Sequence, residues 1–420
     1  MIALVDINSA YCSMIKCFRP DLEGKPVIVL SNNDGCVVAR CQLAKDIGIK
    51  MGQPFFELKE LIRKHKVEYF SSNYTLFADM SGRVMRTLAK FTPSMEIYSI
   101  DEAFLDLSNM PFNLSDYAQE IRHTLRKNIG IPVGIGVGQT KVLAKVANHI
   151  AKKYPEYKEK GVFVLRPDMR ESVLAEFPIE EVWGIGRQHT KRLLSAGVKT
   201  ALDFTKLPES WIKTEMSVVE TRLYRELKGQ SCLPLEEFAK TRKNICTSRS
   251  FPKGVESKSI LCEAVSNFAA KCAFKLRKEK TCAGMLTVFV ETNRFHTNSY
   301  YSNSLVLALP VASNDAPTLI HYALKGLNRI FQDGYAYKKA GVLVSSIVPA
   351  GNLQGNLFEG PSEKKSKAMQ VVDKLNAYMG SEKVKVAAQG FNKAWQLKAE
   401  RMPQCYTTRW DQLMAINLNK

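Results

Sequence analysis

Adjacent carboxylates Asp101 and Glu102 sit in the run Ser99-Ile100-Asp101-Glu102-Ala103, between two apolar strand-like stretches. A third carboxylate, Asp6, ends the apolar run Ile2-Ala3-Leu4-Val5. Buried carboxylates repel one another and resist losing water. Three of them at the ends of neighbouring strands become tolerable when divalent cations join them, because hard cations take oxygen ligands. Such a cluster drives phosphoryl or nucleotidyl transfer. The plainer alternative is a solvated hairpin turn at Asp101-Glu102 and a strand cap at Asp6. Tyr11 follows closely on Asp6. On a helix entered from that strand, its ring would lie beside a bound nucleotide and exclude a 2′-hydroxyl. The alternative is a packed helix tyrosine.

Two further motifs carry charge or bare backbone. Gly134-Ile135-Gly136-Val137-Gly138-Gln139-Thr140-Lys141 is followed by Lys145, Lys152 and Lys153. Glycines at a strand-to-helix turn admit phosphate to the backbone, and a helix N-terminus favours anions. The P-loop spacing is absent. Lys141, Lys145, Lys152 and the earlier Lys45 would neutralise a triphosphate; each is otherwise a solvated surface lysine. Trp183-Gly184-Ile185-Gly186-Arg187 precedes Lys191-Arg192. A Gly-Ile-Gly hairpin between short helices offers N–H groups to a DNA phosphate without reading sequence. The alternative is an ordinary helix–helix turn.

The elements that must position these groups are alternately strand and helix. Strands are expected at 2–5, 27–30, 96–100, 103–107 and 133–137. A helix starts near Ser9, a short one ends near Gly48, and longer ones cover 74–91, 116–128 and 140–153. Pro167 and Pro178 mark a boundary, after which small helices run to about Leu235. Residues 236–248 read as a connector. An α/β module follows to about Val348, with helices near 259–279 and 316–332 and strands near 284–291, 303–309 and 340–347. Residues 351–366 are loop-like, and the remainder has a weak helical pattern.

The chain has 420 residues, enough for two to four domains. Its 60 Lys+Arg against 41 Asp+Glu give a net charge of +19. That excess points to a polyanionic partner, nucleic acid first. Residues 241–345 hold 15 Lys+Arg and 6 Asp+Glu, which leaves +9 in that stretch alone. No apolar run approaches the roughly 20 residues that span a bilayer, and Met1 leads straight into the first strand. The ten cysteines lack C-x-x-C spacing. They read as reduced thiols in a cytoplasmic protein.

Taken together, the motifs resemble the Y-family DNA polymerases. The residues that carry the resemblance are Asp6-Ile7-Asn8-Ser9-Ala10-Tyr11, Leu30-Ser31-Asn32-Asn33-Asp34-Gly35-Cys36, Tyr98 to Phe104, Gln139 to Lys145 and Val182 to Arg187. The late segments Lys339-Ala340-Gly341-Val342 and Tyr406-Thr407-Thr408-Arg409 add to them. The resemblance spans essentially the whole chain in the family's order. It implies an α/β, multidomain right hand: palm at 1–19 and 75–167, fingers at 20–74, and a helical thumb with a helix-hairpin-helix at 168–236. A DNA-binding α/β little finger at 243–348 and a regulatory, clamp-binding tail at 349–420 complete it. The implied activity is template-directed, error-prone translesion synthesis in an SOS-type DNA damage response.

The resemblance also assigns roles. Asp6, Asp101 and Glu102, with the Ile7 carbonyl, hold two Mg2+ ions. Tyr11 is the steric gate. Lys45 and Lys152 contact the triphosphate, although Gln42 stands where the family often has a tyrosine. Cys36 and Val38, both small, roof the nascent base pair. Gly184, Ile185, Gly186, Arg187 and Lys191 face DNA. Gln354, Leu357 and Phe358 look like a sliding-clamp peptide, with Gly355 in place of the usual leucine. Primer-template DNA, dNTP, the clamp, a UmuD′-like dimer and RecA are the implied partners. The implied location is the cytoplasm, at the nucleoid when active. The rival readings are a non-catalytic DNA-binding scaffold of the same fold and a nucleotide cyclase. The scaffold has no need of Asp6, Asp101, Glu102 and Tyr11 together. The cyclase has none for the Gly184–Gly186 hairpin or the basic module.

Overall fold

The computed structural model describes residues 1–238, 241–295, 300–355, 360, 362–380, 382–391, 395 and 397–414. The chain forms two units, Met1–Ala239 with Glu400–Lys420, and Lys240–Ala399. In the first unit β1 (Ile2–Ile7) leads to α1 (Ala10–Lys16). Next come β2 (Val27–Leu30), β3 (Val37–Arg40), α2 (Gln42–Asp46), α3 (Lys59–His65), β4 (Glu68–Ser71) and α4 (Tyr74–Leu88). The chain continues through β5 (Met95–Ile97), β6 (Glu102–Asp106), α5 (Leu114–Ile129), β7 (Val133–Gly138), α6 (Lys141–Lys153), α7 (Pro155–Lys158) and β8 (Val162–Val164). Five short helices follow: α8 (Arg170–Glu176), α9 (Arg187–Ser195), α10 (Ala201–Lys206), α11 (Glu209–Glu215) and α12 (Val218–Leu227).

The central sheet has the order β5-β6-β1-β7-β8. β1 runs antiparallel to both neighbours, pairing Asp6 with Glu102 on one side and with Gly134 on the other. Successive side chains of a strand point to opposite faces. Ala3, Val5, Ala103, Leu105, Val133, Ile135 and Val137 therefore share one face and enter the main core with residues of α1, α4 and α5. Leu4 and Phe104 lie on the other face, against Ala144 of α6. Burying each such large apolar side chain contributes about 1.5–3 kcal/mol. β7 can lie against α6 because it is Gly-x-Gly-x-Gly. A Cβ at Gly136 would stand 2.0 Å from the Asn148 nitrogen and 2.5 Å from the Ala144 oxygen. These glycines thus serve helix–strand packing, which replaces the phosphate approach expected of them. A smaller sheet, β3-β2-β4, stands beside the central one, with β2 and β4 parallel.

The second unit contains β9 (Ile245–Val255), α13 (Lys258–Lys278), β10 (Thr281–Thr292), β11 (Ser302–Ser313), α14 (Ala316–Ile330), β12 (Tyr337–Pro349) and α15 (Glu363–Met379). Its sheet has the order β11-β10-β12-β9, antiparallel throughout. Helices α13 and α14 bury one face of it. The expected connector 236–248 already contains the start of β9. Arg249, Pro252, Lys253 and Gly254 interrupt the apolar alternation that would have marked this strand.

Residues 349–420, expected as one tail, are shared between the two units. On the second unit, Asp373 of α15 pairs with Arg277 at 2.7 Å, and the Trp395 indole donates to Glu263 at 3.1 Å from within the core. From Glu400 the chain belongs to the first unit, where Tyr406 is buried in the main core. Among the described residues, no helix is long and apolar enough to cross a membrane.

Candidate active site

Helix α6 faces the three strands that carry the carboxylates, and its lysines meet them one by one. Lys141 pairs with Glu96 of β5, Lys145 with Glu102 at 2.9 Å and Lys152 with Asp6 at 2.6 Å. The spacing from 141 to 145 to 152 keeps one helical stripe. Gly134 clears the way for the last of these, since a Cβ there would lie 2.8 Å from the Lys152 side chain.

The two ends of the stripe differ in kind. Lys141 is buried and also donates to the Pro234 carbonyl at 2.8 Å. It is a structural pair inside the fold, so it is withdrawn from the lysines expected at a triphosphate. Lys145 reaches both oxygens of Glu102 and sits among aromatic rings, 4.7 Å from the Tyr98 centroid and 5.1 Å from that of Trp183. The negative ring faces favour its charge. Trp183, expected only as part of the hairpin, thereby also lines the carboxylate corner.

Asp101 lies in the turn and Glu102 opens β6, so the two adjacent carboxylates have different supports. The Ser99 hydroxyl donates to Asp101 at 2.5 Å and accepts from the backbone N–H groups of Asp101 and Glu102. The Asp101 carbonyl accepts from the Ile7 N–H at 2.9 Å, which locks the turn to the end of β1. Burial holds the Asp6 carboxyl above its ordinary range. Lys152 counters this, and Glu102 and Asp101 reinforce it. Among the described residues, no three acidic, histidine or cysteine side chains are drawn together as a finished metal cage. Ammonium and hydroxyl groups occupy the carboxylates instead. The donor set nevertheless suits a hard divalent cation: oxygen ligands on paired strand ends, with lysine ammonium groups in a cation's place.

The turn from β1 into α1 is tight. Ser9 has φ 47°, left-handed backbone that serine rarely adopts. The Ser13 hydroxyl donates to the Asn8 carbonyl at 2.5 Å and steadies it. Tyr11 follows on the first turn of α1. Its ring stacks on Phe77 of α4, with centroids 4.3 Å apart and planes 8° from parallel, and Tyr74 meets its edge at 6.2 Å. The ring is thus held between two helices.

Three cations converge nearby. Desolvation, then the charges of Arg40 and Lys152, pulls the Lys45 ammonium below its ordinary range. The like charges add to the burial, and a bound anion would offset both. Arg40, the last residue of β3, was not among the expected site residues. Its strand position, one residue out from the apolar run, was the available signal. Gln42 donates to Asp46 at 2.7 Å on an exposed surface, so the departure from tyrosine there is accommodated away from the cations. The Cys36 N–H and thiol both engage the Ser31 hydroxyl, and Val38 packs against the main core.

The Gly184-Ile185-Gly186 turn is well formed. Gly184 has φ +97°, which only glycine adopts freely. Ile185 is buried and pins the turn, Gly186 caps α9, and Arg187 and Lys191 are exposed on that helix. Gln354 is exposed, while Leu357 and Phe358 lie outside the described residues.

Comparison with known proteins adds kinship. Residues 5–149 match the impB/mucB/samB family, and 242–357 match that family's C-terminal domain. Residues 366–416 match a domain of unknown function. The chain is 44% identical to protein UmuC of Salmonella typhimurium, over 99% of this chain and 100% of the relative. It is 25% identical to DNA polymerase IV of Desulfatibacillum aliphaticivorans, over 92% of this chain and 96% of that one. Among solved structures, a Y-family DNA polymerase chimera matches with a TM-score of 0.66 at 20% identity, covering 83% of this chain and 100% of the other.

Proposed function

The chain belongs to the impB/mucB/samB family and is a Y-family translesion DNA polymerase, and we propose that the corner formed by Asp6, Asp101 and Glu102 is where it joins nucleotides. The observation that carries this is the register. Pairing Asp6 with Glu102 sets those two carboxylates beneath α6, and the bond from the Ile7 N–H to the Asp101 carbonyl ties the turn that carries Asp101 to the same strand end. Catalysis in this class depends on divalent metal. Asp6, Asp101, Glu102 and the Ile7 carbonyl would hold two Mg2+ ions, which activate a primer 3′-hydroxyl and stabilise the leaving pyrophosphate when bound. Lys152 then exchanges Asp6 for phosphate oxygens, and Arg40 and Lys45 clamp the same triphosphate. Tyr11, backed by Phe77, excludes a 2′-hydroxyl. Cys36 and Val38 roof the base pair, their small side chains leaving room for a damaged template.

The remaining parts of the hand follow the same reading. Residues 1–19 and 75–167 are the palm, 20–74 the fingers, 168–236 the thumb and 243–348 the little finger. Gly184, Ile185, Gly186, Arg187 and Lys191 grip DNA phosphates. Gln354, Leu357 and Phe358 dock on a sliding clamp. Kinship with UmuC supports a UmuD′-like dimer and RecA as further partners, and work in the cytoplasm at the nucleoid.

Primer extension with Mg2+ tests the assignment. Asp101→Ala or Glu102→Ala should lower extension by about a thousandfold or more while DNA binding survives. Near wild-type extension by either variant would overturn the catalytic reading in favour of a DNA-binding scaffold. Running the wild type and Leu357→Ala/Phe358→Ala with and without a loaded clamp tests the docking peptide, whose loss should remove only the clamp's stimulation.

A further inference from the structure

The segment from Glu400 to Gln412 is far in sequence from the nucleotide corner and lies beyond both matches to the impB/mucB/samB family. In the first unit it touches three elements. Its Arg401 lies against β4: the Ser71 N–H donates to the Arg401 carbonyl at 2.9 Å, the Arg401 N–H donates to the Ser71 hydroxyl at 3.1 Å, and the guanidinium covers the Tyr69 ring at 4.3 Å. The Glu400 N–H donates to Asp34 in the loop before β3. The other contacts fall on α1 and α4, the two helices that hold Tyr11.

At α4 the contact is the helix cap. Asn73 is 3% exposed. Its side-chain oxygen accepts from the Leu76 N–H at 3.1 Å, which caps the helix. Its amide group donates to the Pro403 carbonyl at 2.9 Å and to the Cys405 sulfur at 3.3 Å. One side chain therefore ties the segment to the first turn of α4, and Tyr74 and Phe77, the rings around Tyr11, stand on that turn. At α1 the contact is a ring. Tyr406 stacks on Phe18, just beyond the C-terminal end of the helix, with centroids 4.7 Å apart and planes 13° from parallel. The Cys405 N–H donates to Gln412 at 2.7 Å, which closes the segment on itself around Tyr406.

We propose that residues 400–412 are a positioning element for sugar selection, holding α1 and α4 from behind so that Tyr11 and Phe77 stay stacked. The inference rests on the reading of Tyr11 as the steric gate. Steric exclusion discriminates between groups that differ by a single oxygen, so it tolerates little movement of the excluding ring. A gate made of two rings on two helices stays sharp only if the helices keep their separation. The segment grips both, in addition to the core they share. Asn73, Tyr406 and Pro403 act through the helices they hold; they are positioning residues.

The experiment is single-nucleotide insertion by the full chain, comparing kcat/KM for deoxyribonucleotide and ribonucleotide in five proteins: wild type, Tyr11→Ala, Tyr406→Ala, Tyr406→Phe and Asn73→Asp. The ratio of the two is independent of how much protein is folded. Asn73→Asp keeps the oxygen that caps α4 and loses the donor to Pro403, so it cuts the tie without uncapping the helix. Tyr11→Ala should collapse the ratio. Tyr406→Ala and Asn73→Asp should each lower it about fivefold, and Tyr406→Phe, which keeps the stacked ring, should leave it at the wild-type value. If Tyr11→Ala collapses the ratio while Tyr406→Ala and Asn73→Asp leave it unchanged, the segment is a structural strap only and the proposal is overturned alone. If Tyr11→Ala leaves the ratio unchanged, the gate reading falls and takes this proposal with it.

Discussion

The two large sheets of this protein use one architecture for opposite ends. The first has strands of three to six residues, and Glu96, Glu102 and Asp6 on three of them each meet a lysine of the helix above. The second has strands of 11 to 13 residues with two helices filling one face. Short strands bring several ends close together, which concentrates chemistry at a point. Long strands spread a surface, which suits a polyanion that is held along its length. The +9 of residues 241–345 lies on the second kind of scaffold, and the paired carboxylates lie on the first.

Close packing behind the strands that carry the carboxylates is the sharpest contrast to break. Gly136→Ala in β7 would drive a Cβ into the backbone of α6, 2.0 Å from the Asn148 nitrogen. Backbone cannot step aside, so a loss of about 3 kcal/mol or more is expected. In the second unit, Gly341→Ala meets side-chain atoms, Phe289 at 2.3 Å and Ser248 at 2.5 Å. The Phe289 ring can swing aside, but the Ser248 Cβ is fixed to the backbone of β9, so a smaller yet substantial loss of about 2 kcal/mol is expected. Denaturant unfolding of both variants checks this; equal losses would remove the distinction between the two scaffolds.

The division of labour in DNA binding gives the next test. Arg187→Ala with Lys191→Ala removes two exposed cations of α9 in the first unit. If each neutralises one duplex phosphate, the log-log salt slope should become shallower by about 1.8, at roughly 0.9 per phosphate. Most of the slope should survive, because the basic second unit still contributes. Binding titrations across a salt series measure it. A slope reduced nearly to zero would place the DNA grip in the first unit alone.

The smallest effect concerns the cost of holding Asp6. Its carboxyl is raised in the fold, chiefly by burial, so ionising it is harder in the native chain than in the unfolded one. Stability is then lost as pH rises from the unfolded value of about 3.9 through the higher folded value. Asp6→Asn abolishes that loss. In chelator-containing buffer the variant should melt slightly higher than wild type at pH 7, with the gain gone at pH 3. A lower melting temperature at pH 7 would show that the pair with Lys152 outweighs the burial.

Much of the corner is legible along the chain because local patterns make it. The apolar run into Asp6, the turn at Asp101 and the helix after Thr140 all follow from alternation, charge and capping within a few residues. Thr140 does cap α6, its oxygen accepting from the Leu143 N–H. What escaped reading depends on partners far away. Lys141 is indistinguishable from Lys145 in sequence, yet one is buried against Glu96 and Pro234 and the other lies among Tyr98, Phe104 and Trp183. The glycines of β7 resemble a phosphate loop until the helix they admit is in place. β9 hides behind a proline, a glycine and two cations. Tyr406 looked like part of a free tail because Phe18, its partner, stands nearly four hundred residues earlier.

That partnership across the chain has a consequence at the ribosome. The first unit is interrupted by the whole of the second before residues 400–412 come back to it. At about 5–20 residues per second, synthesis needs roughly 10–35 s to pass from residue 239 to 412. Throughout that interval the nascent polymerase has its carboxylates, its lysines and Tyr11, but Asn73 has no carbonyl from Pro403 to bind and Phe18 has no ring to stack on. A stretch translated late thus completes a unit whose other parts are made early, and a chain released before residue 400 would carry the carboxylate corner without this closing piece.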